Sequence, residues 1–184
     1  MKSAEELKNI VRQKYSEIAL QSKASNQASC CGAGGCSTEV YNIMTDDYSG
    51  LEGYQPDADL GLGCGLPTQF ANIKTGDTVI DLGSGAGNDC FIARAETGPT
   101  GKVIGIDFTE KMIQKARHNA ETLGFNNIEF RFGDIEDMPV RDNMADVVVS
   151  NCVLNLVPNK ANVFKEIYRV LKPEGHFSIS DIVL

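Results

Sequence analysis

Gly83, Gly85 and Gly87 stand at alternate positions in the run Asp81-Leu82-Gly83-Ser84-Gly85-Ala86-Gly87. Glycines so placed permit a tight turn and let a ligand lie against bare backbone, while a following helix offers unpaired N–H groups. A plain strand-to-helix turn accounts for one or two glycines and poorly for three. Asp107 comes 20 residues after Gly87, about the offset at which a carboxylate accepts a pair of ribose hydroxyls. Gly133-Asp134-Ile135-Glu136 adds acids beside exposed backbone, suited to the edge of an adenine. These three stretches describe a nucleoside pocket.

A dinucleotide site needs G-x-G-x-x-G against a pyrophosphate. Counted from Gly83, the sixth position is Asn88, so that pattern fails. S-adenosylmethionine (SAM) has no pyrophosphate and presents a carboxylate and an ammonium instead. Asp81 is placed to hold the ammonium, often through water. Ser84, Phe108, Met112 and Asn151 complete the expected cofactor set with the glycines and acids named above.

Thiols are the second source of chemistry. Cysteines occupy positions 30, 31, 36, 64, 90 and 152. Disulfide frameworks belong to short secreted chains, so free thiols with a metal, metalloid or redox role are the better expectation here. Cys64 is flanked by glycines in LGLGCGLP, where packing explains it poorly, and Cys152 lies just past a strand in SNCVLNLVP. Cys90, beside Phe91 and Ile92, reads as a small buried hydrophobe. Cys30, Cys31 and Cys36 form CC-x4-C and are candidates for substrate capture. They lack the second pair and the nearby histidine of a zinc site. His118 reads as solvated and His176 as the opening of a strand, neither catalytic.

The elements that position these groups alternate. Strands are expected at Thr78–Leu82, Lys102–Asp107, Ile128–Phe132, Ala145–Ser150 and His176–Leu184, and helices at Asn88–Glu96, after Thr109 as cap, and at Asn162–Leu171. Residues 3–22 carry apolar residues at helical spacing behind a Ser3/Glu6 capping box. Residues 23–37 read as a mobile loop and 38–66 as irregular. This is an α/β pattern: a doubly wound, mostly parallel sheet with helices on both faces, truncated after the fifth strand. Ligands bind such sheets beyond the strands' carboxyl ends. Residues 1–66 are expected to form an N-terminal helix and Cys/Gly-rich segment, and 67–184 the SAM-binding core.

DLGSGAG, GID, GDIEDMP, SNCVLNL and RVLKPEGHFSISD, in that order, resemble the class I SAM-dependent methyltransferases with their Rossmann-like fold. LGLGCGLP, SNCVLNLVP, DLGSGAGNDCF and the early CCGAGGCS further resemble the bacterial arsenite methyltransferases over nearly the whole sequence. The resemblance implies that Cys64 and Cys152 are thiolates binding As(III) in the catalytic site. It also implies that arsenite is methylated by SAM to methylarsenicals and S-adenosylhomocysteine. Soft thiolates suit a soft centre, and arsenic brings its own lone pair, so positioning rather than proton abstraction is the protein's task. The family's third arsenic-binding cysteine falls beyond Leu184, and the fifth strand's edge is left uncovered.

A net charge of -8 disfavours nucleic acid. No apolar run reaches membrane length and no signal peptide is evident, so the sequence reads as cytoplasmic. Its partners are then a small-molecule substrate, arsenite or its thiol conjugate, and a cellular thiol reductant. Two other readings stay open: a methyltransferase acting on another small molecule, and a metalloid-binding or redox module without turnover.

Overall fold

Apolar runs such as TVIDL and DVVVS bury both faces of a strand, as parallel sheets require. The computed structural model of the chain describes residues 3–21, 23, 26 and 47–181. It builds β1 (Thr78–Leu82), β2 (Lys102–Asp107), β3 (Ile128–Phe132), β4 (Ala145–Asn151) and β5 (Leu171–Ser180) into one sheet. The strand order is β3-β2-β1-β4-β5, and every neighbouring pair is parallel. The helices are α1 (Ala4–Ile18), α2 (Pro67–Phe70), α3 (Asn88–Thr97), α4 (Glu110–Leu123) and α5 (Lys160–Val170).

Side chains of successive strand residues go to opposite faces. Val79, Val103, Val147 and Val149 pack with Cys90 and Phe91 of α3 and Ile113 and Ala116 of α4. Ile80, Leu82, Ile104, Ile106 and Val148 pack with Val163, Ile167 and Val170 of α5. Each large side chain so buried stabilises the fold by roughly 1.5–3 kcal/mol, which gives the sheet a rigid end on which loops need little order of their own. The chain winds outward from β1 to β3 and returns to place β4 on the other side of β1. That reversal opens a crevice beyond the carboxyl ends of β1 and β4.

The capping box forms: Ser3 N donates to Glu6 Oε2 at 2.6 Å and Glu6 N to Ser3 Oγ at 3.2 Å. The helix it opens stops at Ile18, short of the expected residue 22. Thr109 is the N-cap of α4, but its side chain makes no capping bond. The expected fifth strand starts five residues early, because Leu171 pairs with Ala145 before a register shift and the chain resumes at His176 opposite Val147. Glu174, at φ 69°, turns the KPEG segment within it; that turn-like composition hid the strand. Residues 182–184 of the expected strand lie outside the described residues, as do most of the 23–37 loop and 38–46. No helix among the described residues is long and apolar enough to cross a membrane. β5 is an edge strand, with Phe177 exposed on it and packed edge-on against Phe164 of α5.

Candidate active site

The crevice opens to solvent, and its empty space together with the solvent at its opening is about 1070 Å³. Its floor is the loop after β1. Gly83 and Gly85 have φ 70° and 52°, the left-handed region that glycine enters without strain. A Cβ on Gly85 would meet nothing within 4 Å, so this backbone faces open space. Gly83, Ser84, Gly85 and Ala86 all line the cavity. Asp107, at the end of β2, accepts from Gly85 N at 3.0 Å and Thr109 N at 2.7 Å. Burial pushes its pKa up, and those two backbone bonds oppose the rise. Phe108, Met112, Asp134 and Ile135 close the wall.

The helix α1, its exit and residues 60–62 contribute a roof. Ile18, Ala19 and Leu60 pack with Ala86 and Met112, and Tyr15 and Leu62 lie against them. Lys8 reaches over from α1 to Asp134 (2.6 Å) and Glu136 (3.1 Å). The acids expected at an adenine edge therefore already hold a lysine.

The other end of the crevice carries the sulfurs. Asn151 ends β4, and Cys152 follows it at φ 55°, a conformation costing a non-glycine residue roughly 1–2 kcal/mol. Cys152 N donates to Ser180 O of β5 at 2.8 Å, which holds the turn. Across the gap, Asn151 Oδ1 accepts from Cys64 N at 3.1 Å, and its Nδ2 lies 2.9 Å from Gly65 O and 3.0 Å from Asp89 Oδ2. The Tyr48 hydroxyl donates to Gly65 O at 2.6 Å and itself meets Asn151 Nδ2. A side chain on Gly65 would run into Ser180, so glycine lets the Cys64 loop settle on the sheet end. Cys64 and Cys152, 88 residues apart, thus come within 5.9 Å (Cα–Cα) and are joined by a disulfide. The sequence pointed to free thiols here. Their separation falls within the usual range for a disulfide, and two free thiols here would require its reduction.

Several expected site residues do not line the cavity. Asp81, Gly87, Glu136 and Cys64 are not among the cavity's lining residues, whereas Cys152 and Cys64's neighbour Gly63 are. Asp81 sits on the α3 face of β1, where Cys90 Sγ donates to its Oδ2 at 3.2 Å. Burial and then the charge of Asp89 raise the Asp81 pKa well above the carboxylate range. Burial likewise raises that of Cys90, which remains an inert thiol. Gly87 serves packing: at φ 99°, an added Cβ would lie 2.8 Å from Phe130 Cζ and 3.0 Å from Phe91 Cε2. Gly87→Ala is accordingly expected to lower unfolding free energy by about 1–3 kcal/mol, read from urea denaturation; an unchanged midpoint would contradict this. Cys30, Cys31 and Cys36 lie outside the described residues. Among the described residues no group of three or more His, Cys, Asp or Glu could hold a metal ion.

Sequence reasoning missed Tyr48, Asp59, Asp89 and Lys8, all cavity-lining. Asp89 carried a faint signal, an acid in the first turn of the helix after the glycines, which reads as an ordinary dipole partner. Tyr48 carried none, since its partner Asn151 is 103 residues away.

Comparison with known proteins agrees with this architecture. A methyltransferase domain family profile matches residues 73–184. An arsenite methyltransferase of Halobacterium salinarum is 46% identical over 97% of the chain and 48% of its own length. The crystal structure of an arsenic(III) S-adenosylmethionine methyltransferase from Chlamydomonas reinhardtii superposes with TM-score 0.58 at 40% identity, covering 65% of this chain and 42% of that one. A SAM-dependent methyltransferase from Aquifex aeolicus gives TM-score 0.60 at 29% identity, over 74% and 68%. The chain spans about half the length of the curated arsenite methyltransferases that it matches over nearly its whole extent. A parallel sheet that reverses at β1, a glycine loop lining the crevice beyond it and these relatives converge: the chain belongs to the methyltransferase domain family, in its class I, SAM-dependent, Rossmann-like form.

Proposed function

We propose that this chain binds SAM in the crevice and, with arsenic held by the reduced Cys64–Cys152 pair, methylates As(III). The cofactor fits the cavity's chemistry. Buried oxygens of Ser84, Asn88, Asp89 and Thr109 lack protein partners, and all four residues line the same space as the open backbone of Gly85. SAM supplies an electrophilic methyl; the chain's part is to bind, orient and exclude water.

The observation that carries the arsenic reading is the meeting of two distant cysteines, one of which, Cys152, lines that cavity. Arsenite condenses with two thiols, releasing two waters and leaving one hydroxyl on a dithiolate-bound arsenic. With SAM bound, the arsenic lone pair would form the As–C bond as the methyl–sulfonium bond breaks, the positive charge passing to arsenic and S-adenosylhomocysteine leaving. With the nucleophile brought by the substrate, the site needs geometry more than a base. A third sulfur would come from an external thiol or from Cys30, Cys31 or Cys36, and the cytoplasm's thiol pool supplies the reductant.

Incubation with arsenite, a reductant and methyl-labelled SAM tests this. Label on arsenic is the expected result. Label only on an organic acceptor, or stoichiometric arsenic uptake without transfer, would replace the reading by one of its two rivals. Cys64→Ser and Cys152→Ser are each expected to weaken arsenite binding at least tenfold while changing S-adenosylhomocysteine affinity less than threefold (about 1.4 kcal/mol per tenfold), by calorimetry.

A further inference from the structure

We infer that Asp89, rather than the aspartate that precedes the glycine loop, holds the α-ammonium of the cofactor's methionine end. The inference rests on the SAM reading of the crevice and not on arsenic. Four aspartates line the cavity: Asp59, Asp89, Asp107 and Asp134. Three have both oxygens engaged by the protein. Asp107 takes the N–H groups of Gly85 and Thr109. Asp134 takes Lys8 and Glu136 N, and Asp59 takes Lys23, Tyr54 and Gly61 N.

Asp89 differs. Its Oδ2 accepts from the Asn151 amide at 3.0 Å, which sets the plane of the carboxylate. Its Oδ1 is buried without a partner, in a residue only 9% exposed. An ionised carboxylate accepts at both oxygens, and a buried one left unmet is costly. No lysine or arginine among the described residues pairs with it, so the missing donor has to arrive with a ligand and is best a cation. Of the groups on SAM, the sulfonium has no hydrogen to give. The ribose and adenine have donors but no charge. Only the α-ammonium offers charge and N–H together. Asp81 cannot compete: it lies outside the cavity lining, and the Cys90 thiol donates to it.

S-adenosylhomocysteine carries the same ammonium and is stable enough for calorimetry. Its analogue with the α-amino group replaced by hydrogen lacks it. The wild-type chain is expected to bind S-adenosylhomocysteine about 10- to 100-fold more tightly than the deamino analogue, the range for a charge-assisted hydrogen bond. In Asp89→Asn, which keeps the shape, that ratio is expected to fall below threefold with the analogue's own affinity unchanged. An equal ratio in variant and wild type, or a wild-type ratio near one, overturns the assignment to Asp89 and leaves the cofactor reading intact. Failure of both compounds and of adenosine to bind the wild type overturns both. The wild-type comparison needs no variant, so a misfolded Asp89→Asn does not spare the proposal.

Discussion

Reduction of the Cys64–Cys152 disulfide is expected to switch arsenite binding on and, at the same time, to remove about 4–5 kcal/mol of stability. The first effect follows from electron counting. A disulfide has no thiolate to offer, and two electrons and two protons are needed before arsenite has two thiols to condense with. The second follows from chain entropy. The bond closes a loop of 88 residues, and releasing it frees the unfolded chain by that amount on the loop-closure relation. Arsenic bridging the same sulfurs closes the same loop, so arsenite is expected to restore much of the lost stability to the reduced chain. Urea denaturation of oxidised, reduced and reduced-plus-arsenite protein checks the order. Metal analysis of desalted samples checks the stoichiometry, in a background of Cys30→Ser, Cys31→Ser and Cys36→Ser so that only this pair and the buried Cys90 remain. Equal arsenic content before and after reduction would mean that these two sulfurs are not the binding site.

Asp89→Asn is expected to make the protein more stable at pH 8 by up to about 3 kcal/mol and to make almost no difference at pH 4. Burial pushes the Asp89 pKa up to about 6, and the hydrogen bond from the Asn151 amide only partly opposes this. The unfolded chain releases the same proton near 3.8. Between those values the folded state holds a proton that the unfolded state has lost, so stability falls as pH rises through the window and stays lower above it. A gap of that width between the folded and unfolded states is worth about 3 kcal/mol. Asp59 adds to the raised value, and Asp81 is coupled to the same charge across the base of α3, so the informative quantity is the variant-minus-wild-type difference at each pH. A difference that stays flat from pH 4 to pH 8 would show that Asp89 is not held against its charge. A variant more stable but poorer at binding the cofactor would be the usual exchange between a strained site and its function.

The strand pattern was open to sequence reasoning because it is local. Four strands begin and three end where residue type alone places them, since an apolar run of TVIDL or KVIGID type has no other way to bury both its faces. The glycine loop was legible for a similar reason: left-handed backbone at Gly83, Gly85 and Gly87 is available cheaply to one residue type only. The fifth strand was not, because its first half pairs across a register shift that composition does not encode.

The composition and order of residues therefore determined by themselves the fold, the family and the end of the sheet where the crevice opens. Side-chain roles were another matter. That Asp81 faces Cys90 instead of the cavity, that Gly87 serves Phe91 and Phe130, and that Asn151 ties Tyr48, Gly65 and Asp89 into one cluster depend on which face of a strand or helix meets which neighbour. The contacts of Asn151 join residues 62 to 103 positions apart, and no periodicity reaches that far. Only packing of the finished sheet brings them together.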